Sequence, residues 1–241
     1  MKISVIVPAF NEEKLIAGCV SSIRAALAAN AREGLEWELI VVDNRSTDAT
    51  AERARAAGAR VVEEPKRQIA RARNRGAQAA GGDWLVFVDA DSTVSARLMA
   101  GVLDRMRSGA HAGGGAVVAM PGAPLWLGFW IGVWNLISCT LRWAAGAFLW
   151  CRADAFKEVG GFNEDLYASE EIDLSRRLKR WAKARGLAFS ILSRRPLLTS
   201  DRKIRLYSRR ELAKYMLRFL LRPLKTVRSR EQLDLWYDGR R

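Results

Sequence analysis

The chain counts 241 residues, with 40 Lys and Arg against 26 Asp and Glu and a formal net charge of +14. Such a length supports one domain, or one domain with an appendage, around a single sizeable core. The basic excess implies anionic partners (nucleotide phosphates, an anionic membrane surface or nucleic acid), while the scattered Cys19, Cys139 and Cys151 exclude a disulfide framework or a zinc site and fit a reducing compartment.

Met1-Lys2-Ile3 runs straight into a strand-like segment, so no signal peptide is expected. Ile3 to Val7 predicts a buried strand ended by Pro8. Ala9-Phe-Asn-Glu-Glu13 is a turn into a helix on which Leu15, Ile16, Cys19, Ile23 and Leu27 recur at helical spacing. Trp37 to Val42 predicts a second strand that ends in Asp43. A polar turn follows, with Ser46 or Thr47 placed to cap an Ala-rich helix closed by Gly58. Arg60 to Glu63 is a short third strand, and Gln68 to Ala80 a third helix closed by Gly81-Gly82.

Trp84-Leu-Val-Phe-Val-Asp89-Ala-Asp91-Ser92 is the organising stretch. Four apolar residues without charge predict a strand buried on both faces of a mainly parallel sheet. Two carboxylates one residue apart follow at its carboxyl end, where ligands bind in open α/β sheets. Paired acidic oxygens on a rigid strand end suit a hard cation such as Mg²⁺ or Mn²⁺ that keeps positions for substrate phosphates. Strands alternating with helices give βαβ units and a doubly wound sheet.

A helix is expected over Val94 to Met106, and a strand over Gly113 to Ala119. Leu125 to Leu141 carries no charged residue and aligns Trp126, Trp130 and Trp134 as one helical stripe, whose ordinary reading is core. Gly146 to Trp150 reads as a strand, Ala153 to Val159 as a short helix, and Glu170 opens a helix to about Lys183. There Glu171, Leu174 and Leu178 recur at helical spacing, which puts Glu171 on the inward apolar face. Leu187 to Leu192 is a last strand. A basic extension over 196–241 follows the 1–195 domain and contains an amphipathic piece at about Glu211 to Leu221.

Six motifs in this order resemble family 2 glycosyltransferases of the GT-A fold: Val5-Ile-Val-Pro-Ala-Phe-Asn-Glu-Glu13, Val41-Val-Asp-Asn-Arg-Ser-Thr-Asp48, Ala72-Arg-Asn-Arg-Gly76, Val88-Asp-Ala-Asp-Ser92, Val159-Gly-Gly-Phe-Asn-Glu164 and Ser169-Glu-Glu-Ile-Asp-Leu174. The resemblance covers about residues 1 to 195. It implies a three-layer, Rossmann-like α/β fold. It also implies that Pro8, Phe10 and Glu12 line a nucleotide-sugar pocket, that Asp43 meets the base, and that Arg73 meets the base or diphosphate. Asp89, with Ala90 beside it, would reach the ribose or the metal, and Asp91 would ligate Mn²⁺ or Mg²⁺ directly. The family's general base, usually the Asp of a Glu-Asp pair, falls on Glu171, in a Glu170-Glu171 pair. The assignment therefore stays open among Glu170, Glu171 and Asp173. The family's late His ligand has no counterpart, since the only His is His111, a loop residue on this reading. Thr199-Ser-Asp201-Arg-Lys203 stands near that place, offering Asp201 as ligand or Arg202 and Lys203 as phosphate holders. The Gln-X-X-Arg-Trp element of processive synthases is absent, which favours transfer of a single sugar.

The stretch Leu125 to Leu141 approaches the length of a bilayer span, but two strands of one sheet flank it, so a crossing is rejected. It is core, a wall for a lipid-linked acceptor, or an interfacial helix. With the basic tail it suggests a cytoplasmic protein attached peripherally to the cytoplasmic face of a membrane. Competing readings are a nucleotidyltransferase, which lacks its Gly-rich loop here, and a degenerate, non-catalytic sugar-nucleotide binder. A nucleic-acid partner is not expected, because it leaves the ordered acidic turns unexplained.

Overall fold

The computed structural model describes residues 1–202; Lys203 and the amphipathic piece expected at Glu211 to Leu221 lie outside the described residues. In chain order the elements are β1 (Lys2–Ala9), α1 (Ile16–Ala28), β2 (Glu36–Asp43), α2 (Thr50–Ala56), β3 (Arg60–Glu63), α3 (Ile69–Ala79), β4 (Trp84–Val88), β5 (Ser92–Thr93), α4 (Ala96–Arg107), β6 (His111–Ala119), α5 (Leu125–Leu141), β7 (Phe148–Arg152), α6 (Ala153–Glu158), α7 (Glu170–Lys183) and β8 (Ala188–Thr199). They form an 8-stranded sheet in the order β3-β2-β1-β4-β7-β6-β8-β5. The β1–β2, β1–β4, β2–β3 and β6–β8 pairings are parallel, and only β7 and β5 run against the rest.

Side chains of the central strands alternate between two cores, as a period of two requires. Val5, Val7, Val86 and Val88 meet α1 and α4 on one face. Ile6, Val42, Leu85 and Phe87 meet α3 and α7 on the other. The result is the expected three-layer α/β architecture. All five residues of β4 are buried, which explains their unbroken apolar run. Gly76 lets α3 lie directly on the sheet: a Cβ there would come 2.3 Å from Ile6 Cγ2 and 2.9 Å from Val42 Cγ2. That approach carries Arg73, one turn earlier, over the sheet's carboxyl edge.

Several local expectations are corrected. Pro8 does not end β1 but pairs in register with Val42. Pairing with β4 stops at Ile6, so from there β1 has a ladder partner on one side only and tolerates the missing N–H. Ser46 and Thr47 do not cap α2, whose N-cap is Ala49. They bind the β1–α1 turn instead: Asn11 N–H donates to Ser46 Oγ (3.0 Å), and Thr47 N–H donates to Asn11 Oδ1 (2.8 Å). β8 extends to Thr199 because a bulge opposite Ala116 to Val118 absorbs Pro196 and its charged neighbours. His111 opens β6 rather than lying in a loop. Trp126 and Trp130 are not core; both are exposed.

Candidate active site

A cavity of about 160 Å³ opens at the carboxyl edge of β1, β2 and β4. Pro8, Phe10 and Glu12 supply its β1 wall, Asp89 and Ala90 its β4 floor, Arg73 its α3 side, and Ser169 to Glu171 its α7 rim. Three turns around this edge hold non-glycine residues at left-handed φ: Asn11 at 52°, Arg45 at 63° and Ser169 at 62°. Such backbone persists only where surrounding bonds over-determine it, and it concentrates at functional edges.

Arg73 is the hub. The sequence admits a solvated charge here, but the residue is 1% exposed. Its Nη1 meets Glu170 Oε1 at 2.6 Å, while Nη2 meets Asp89 Oδ1 at 3.0 Å and donates to Gly146 O at 2.7 Å. Burial opposes the charge, but Asp89, Glu170 and Glu171 outweigh it and raise the Arg73 pKa. The guanidinium is therefore committed to organising carboxylates from β4 and α7.

Glu170, not Glu171, continues the buried face of α7 toward Leu174 and Leu178. The spacing i, i+4, i+8 from Glu170 is as helical as the i, i+3, i+7 spacing from Glu171, and packing selects the former. Glu171 lines the cavity with its carboxyl against Gly146: a Cβ on that glycine would lie 3.2 Å from Glu171 Cδ and Oε1. Burial first, and the adjacent Glu170 second, push the Glu171 pKa up to about 8. Asp173 is not brought to the cavity; it pairs with Arg177 at 2.6 Å on the far side of the helix.

Asp91 sits beyond the cavity lining, where Thr199 Oγ1 approaches its Oδ1 at 3.5 Å and Ser200 N–H donates to its backbone oxygen at 3.2 Å. The 199–202 segment thus reaches the β4 end. Arg202 extends further and forms an ion pair with the buried Glu12. The Cys19 thiol reports how closely the acids gather: burial raises its pKa, and Asp91, Asp89 and Glu12 raise it further. Among the described residues no three His, Cys, Asp or Glu side chains converge on one metal position. By donor chemistry the Asp89 and Asp91 carboxylates would suit Mg²⁺ or Mn²⁺, which bind through one or two carboxylates and leave the other positions to water and phosphate.

Asp43 lies just outside the cavity, its Oδ1 accepting from Ser46 N–H at 3.3 Å. The next residue, Asn44, is buried and does line it. Asn44 Nδ2 donates to Glu64 O and Lys66 O (3.0 and 2.6 Å), and Gln68 N–H donates to Asn44 Oδ1 (2.8 Å). These bonds fix the loop that presents Arg67, whose guanidinium stacks 3.7 Å over the Phe10 ring. An adjoining, strongly cationic cleft of about 600 Å³ shares Phe10, Arg67 and Tyr167 and adds Arg45, Lys66 and Arg71. Sequence reasoning missed Asn44, Arg67 and Tyr167. The aromatic Phe10 in an otherwise polar turn was the available signal for a stacking cation.

The sequence profile described as Glycosyl transferase family 2 matches residues 4–130, more than half of the chain. Glucosyl-3-phosphoglycerate synthase of Mycobacterium tuberculosis is 43% identical over 97 residues, covering 37% of this chain and 28% of that protein. Dolichol-phosphate mannosyltransferase of Pyrococcus furiosus is 32% identical over 114 residues, 45% of this chain and 31% of that protein. The match thus spans about a third or less of these relatives' own length. The structure of a mannosyltransferase from Pyrobaculum calidifontis, in complex with GDP-Man and Mn²⁺, superimposes with a TM-score of 0.66 at 21% identity, covering 90% of this chain and 60% of that one. The profile match, the shared GT-A fold and the acidic cavity at the strand ends agree, and this protein belongs to glycosyl transferase family 2.

Proposed function

We propose that this protein is an inverting glycosyltransferase that moves one sugar from a nucleotide-diphosphate sugar to an acceptor hydroxyl. The observation that carries the reading is the division of labour between Glu170 and Glu171. Glu170 is locked onto Arg73, whereas Glu171 faces the cavity with its pKa pushed up to about 8. A carboxylate so tuned is matched to accepting a proton near neutral pH. The acceptor oxygen attacks the anomeric carbon while Glu171 takes its proton. The new carbon–oxygen bond forms on the face opposite the breaking bond to phosphate, the nucleoside diphosphate departs with the bonding pair, and the anomeric configuration inverts.

Pro8, Phe10 and Glu12 bound the donor side, with Ala90 in the floor and Asp43 at the margin for the base. Asp89 and Asp91 would hold Mn²⁺ or Mg²⁺, which when bound offsets negative charge on the leaving diphosphate. The GDP-Man and Mn²⁺ of the Pyrobaculum calidifontis enzyme support that donor class and metal. Arg73 serves as the positioning cation for the acids rather than as a phosphate contact. We place the protein in the cytoplasm, peripheral on a membrane, which accords with its net charge of +14 and with a lipid-linked acceptor. Release of nucleoside diphosphate from a panel of nucleotide sugars with Mn²⁺ tests the transfer reading. Wild-type turnover that is lost in Asp91→Ala and Glu171→Gln supports it. Turnover unchanged in both variants would sink it, and nucleotide binding without turnover in the presence of candidate acceptors would assign a degenerate binder instead.

A further inference from the structure

α5 inverts the usual logic of a surface helix. Its 17 residues, LWLGFWIGVWNLISCTL, include no charged side chain. A helix apolar all round belongs in a core or in lipid. Yet within α5 only Leu127 and Ser138 are buried. Leu125 is 95% exposed, Leu136 69%, Phe129 65% and Trp130 49%, with Trp126 and Leu141 exposed beside them. Two of its polar groups, those of Asn135 and Ser138, lie inward, while Thr140 is exposed among the apolar side chains. Asn135 brackets Val118 of β6, accepting from its N–H at 3.0 Å and donating to its carbonyl at 2.9 Å. Ser138 Oγ donates to Trp143 O at 2.6 Å. The helix is therefore pinned by hydrogen bonds and presents its large apolar side chains outward. A contiguous exposed patch of this kind marks an interaction surface.

Charge narrows the partner. The C-terminal end of α5 meets a group of cations: Lys179 Nζ donates to Leu141 O, and Arg142 and Arg176 lie near enough to depress the Lys179 pKa, after burial. Arg142 and Arg176 are exposed. Tryptophan and phenylalanine beside basic side chains are the composition of a helix lying in a bilayer interface. Among the described residues no helix is long and apolar enough to cross a membrane. The strands on either side of α5, β6 and β7, pair within one sheet, so the helix lies along a surface.

We infer that the outward flank of α5, with Arg142, Arg176 and Lys179, is seated on an anionic lipid surface. This rests on the peripheral-membrane reading above and names the face that makes the contact. The location is consequential, because the chain runs from Leu141 directly to Gly146, the cavity wall against Glu171. On this inference a lipid-linked acceptor would reach the cavity from the α5 side, past the segment 142–146 that joins the helix to the cavity wall.

The test is sedimentation of the full chain with vesicles of phosphatidylcholine alone and of phosphatidylcholine mixed with phosphatidylglycerol. Wild type, the double variant Phe129→Glu/Trp130→Glu and the double variant Arg142→Gln/Arg176→Gln are compared, with circular dichroism and melting curves as checks on folding. These side chains are exposed, so all three proteins are expected to fold. Wild type is expected to bind the phosphatidylglycerol vesicles. Phe129→Glu/Trp130→Glu should lower the partition roughly ten- to hundredfold, the fold-change equivalent of one large apolar side chain no longer buried. Arg142→Gln/Arg176→Gln should reduce the preference for anionic vesicles. Unchanged binding by the apolar variant would overturn the inference and leave membrane attachment to other parts of the chain. No vesicle binding by wild type would overturn both the inference and the peripheral reading. A wild-type dimer that the apolar variant converts to monomer, without vesicle binding, would reassign the flank to self-association.

Discussion

Arg73→Met removes the cation that Glu170 and Asp89 share. Arg73 is 1% exposed and makes ion pairs of 2.6 Å with Glu170 and 3.0 Å with Asp89, besides its hydrogen bond to Gly146. Taking one partner from a buried pair leaves an uncompensated charge and typically costs about 3–5 kcal/mol. In a chain of this size that corresponds to a fall in melting temperature of about 6–20 °C. Glu170 is itself 3% exposed, so solvent cannot restore the balance. The assay is urea unfolding of the full chain at neutral pH, repeated for Glu170→Gln and for the double variant. Removing the stranded carboxylate as well should recover about 1–2 kcal/mol, so the double variant is less damaged than the sum of the singles. A single-variant cost below about 1 kcal/mol, or strict additivity, would refute the role of Arg73 as hub.

Glu171→Gln is expected to lower turnover by about 10²- to 10⁴-fold while nucleotide-induced stabilisation persists, measured by nucleoside diphosphate release and thermal shift. Wild-type kcat/KM should fall as pH drops below about 8, since the base must be unprotonated to act. The stability consequence has the opposite sense. A carboxyl whose folded pKa is raised from 4.5 to about 8 contributes stability below the lower value that is lost as pH rises through the upper one. Glu171→Gln should therefore melt above wild type at alkaline pH, and equal melting points there would contradict the raised pKa of that carboxyl. Gly76→Ala forces a methyl into Ile6 and Val42 and should cost about 1–3 kcal/mol in urea unfolding.

Much of the fold is legible in the residues because β4 is apolar throughout and β1 and β2 carry the apolar runs Val5 to Val7 and Leu39 to Val42, which burial on both faces explains. The acids Asp89 and Asp91 are legible for the same reason, since the strand before them sets their position. The role of Arg73 is harder to read, because Arg67, Arg71, Arg73 and Arg75 look alike as a charge run. The signal was Gly76, three residues on: a glycine on the same helical face marks where α3 touches the sheet, and Arg73 shares that face. Glu170 and Glu171 differ by one step of a helix, and both steps align with Leu174 and Leu178, so only packing separates them. The apolarity of α5 is plain in the sequence, but composition alone does not say whether protein or another phase covers it. Local chemistry favours Ser46 or Thr47 as a cap; in the fold Asn11 of the neighbouring turn takes the Ser46 hydroxyl and the Thr47 amide instead.

Thermal unfolding of the full chain with Mn²⁺ and a panel of nucleoside diphosphates tests the central claim most directly. A diphosphate held at the β1 and β4 strand ends, at about a hundred times its dissociation constant, stabilises the native state by about 2.7 kcal/mol. The account predicts a rise of about 5–10 °C with at least one nucleotide, abolished in Asp91→Ala. No shift with any of them, or a shift that survives Asp91→Ala unchanged, would contradict it.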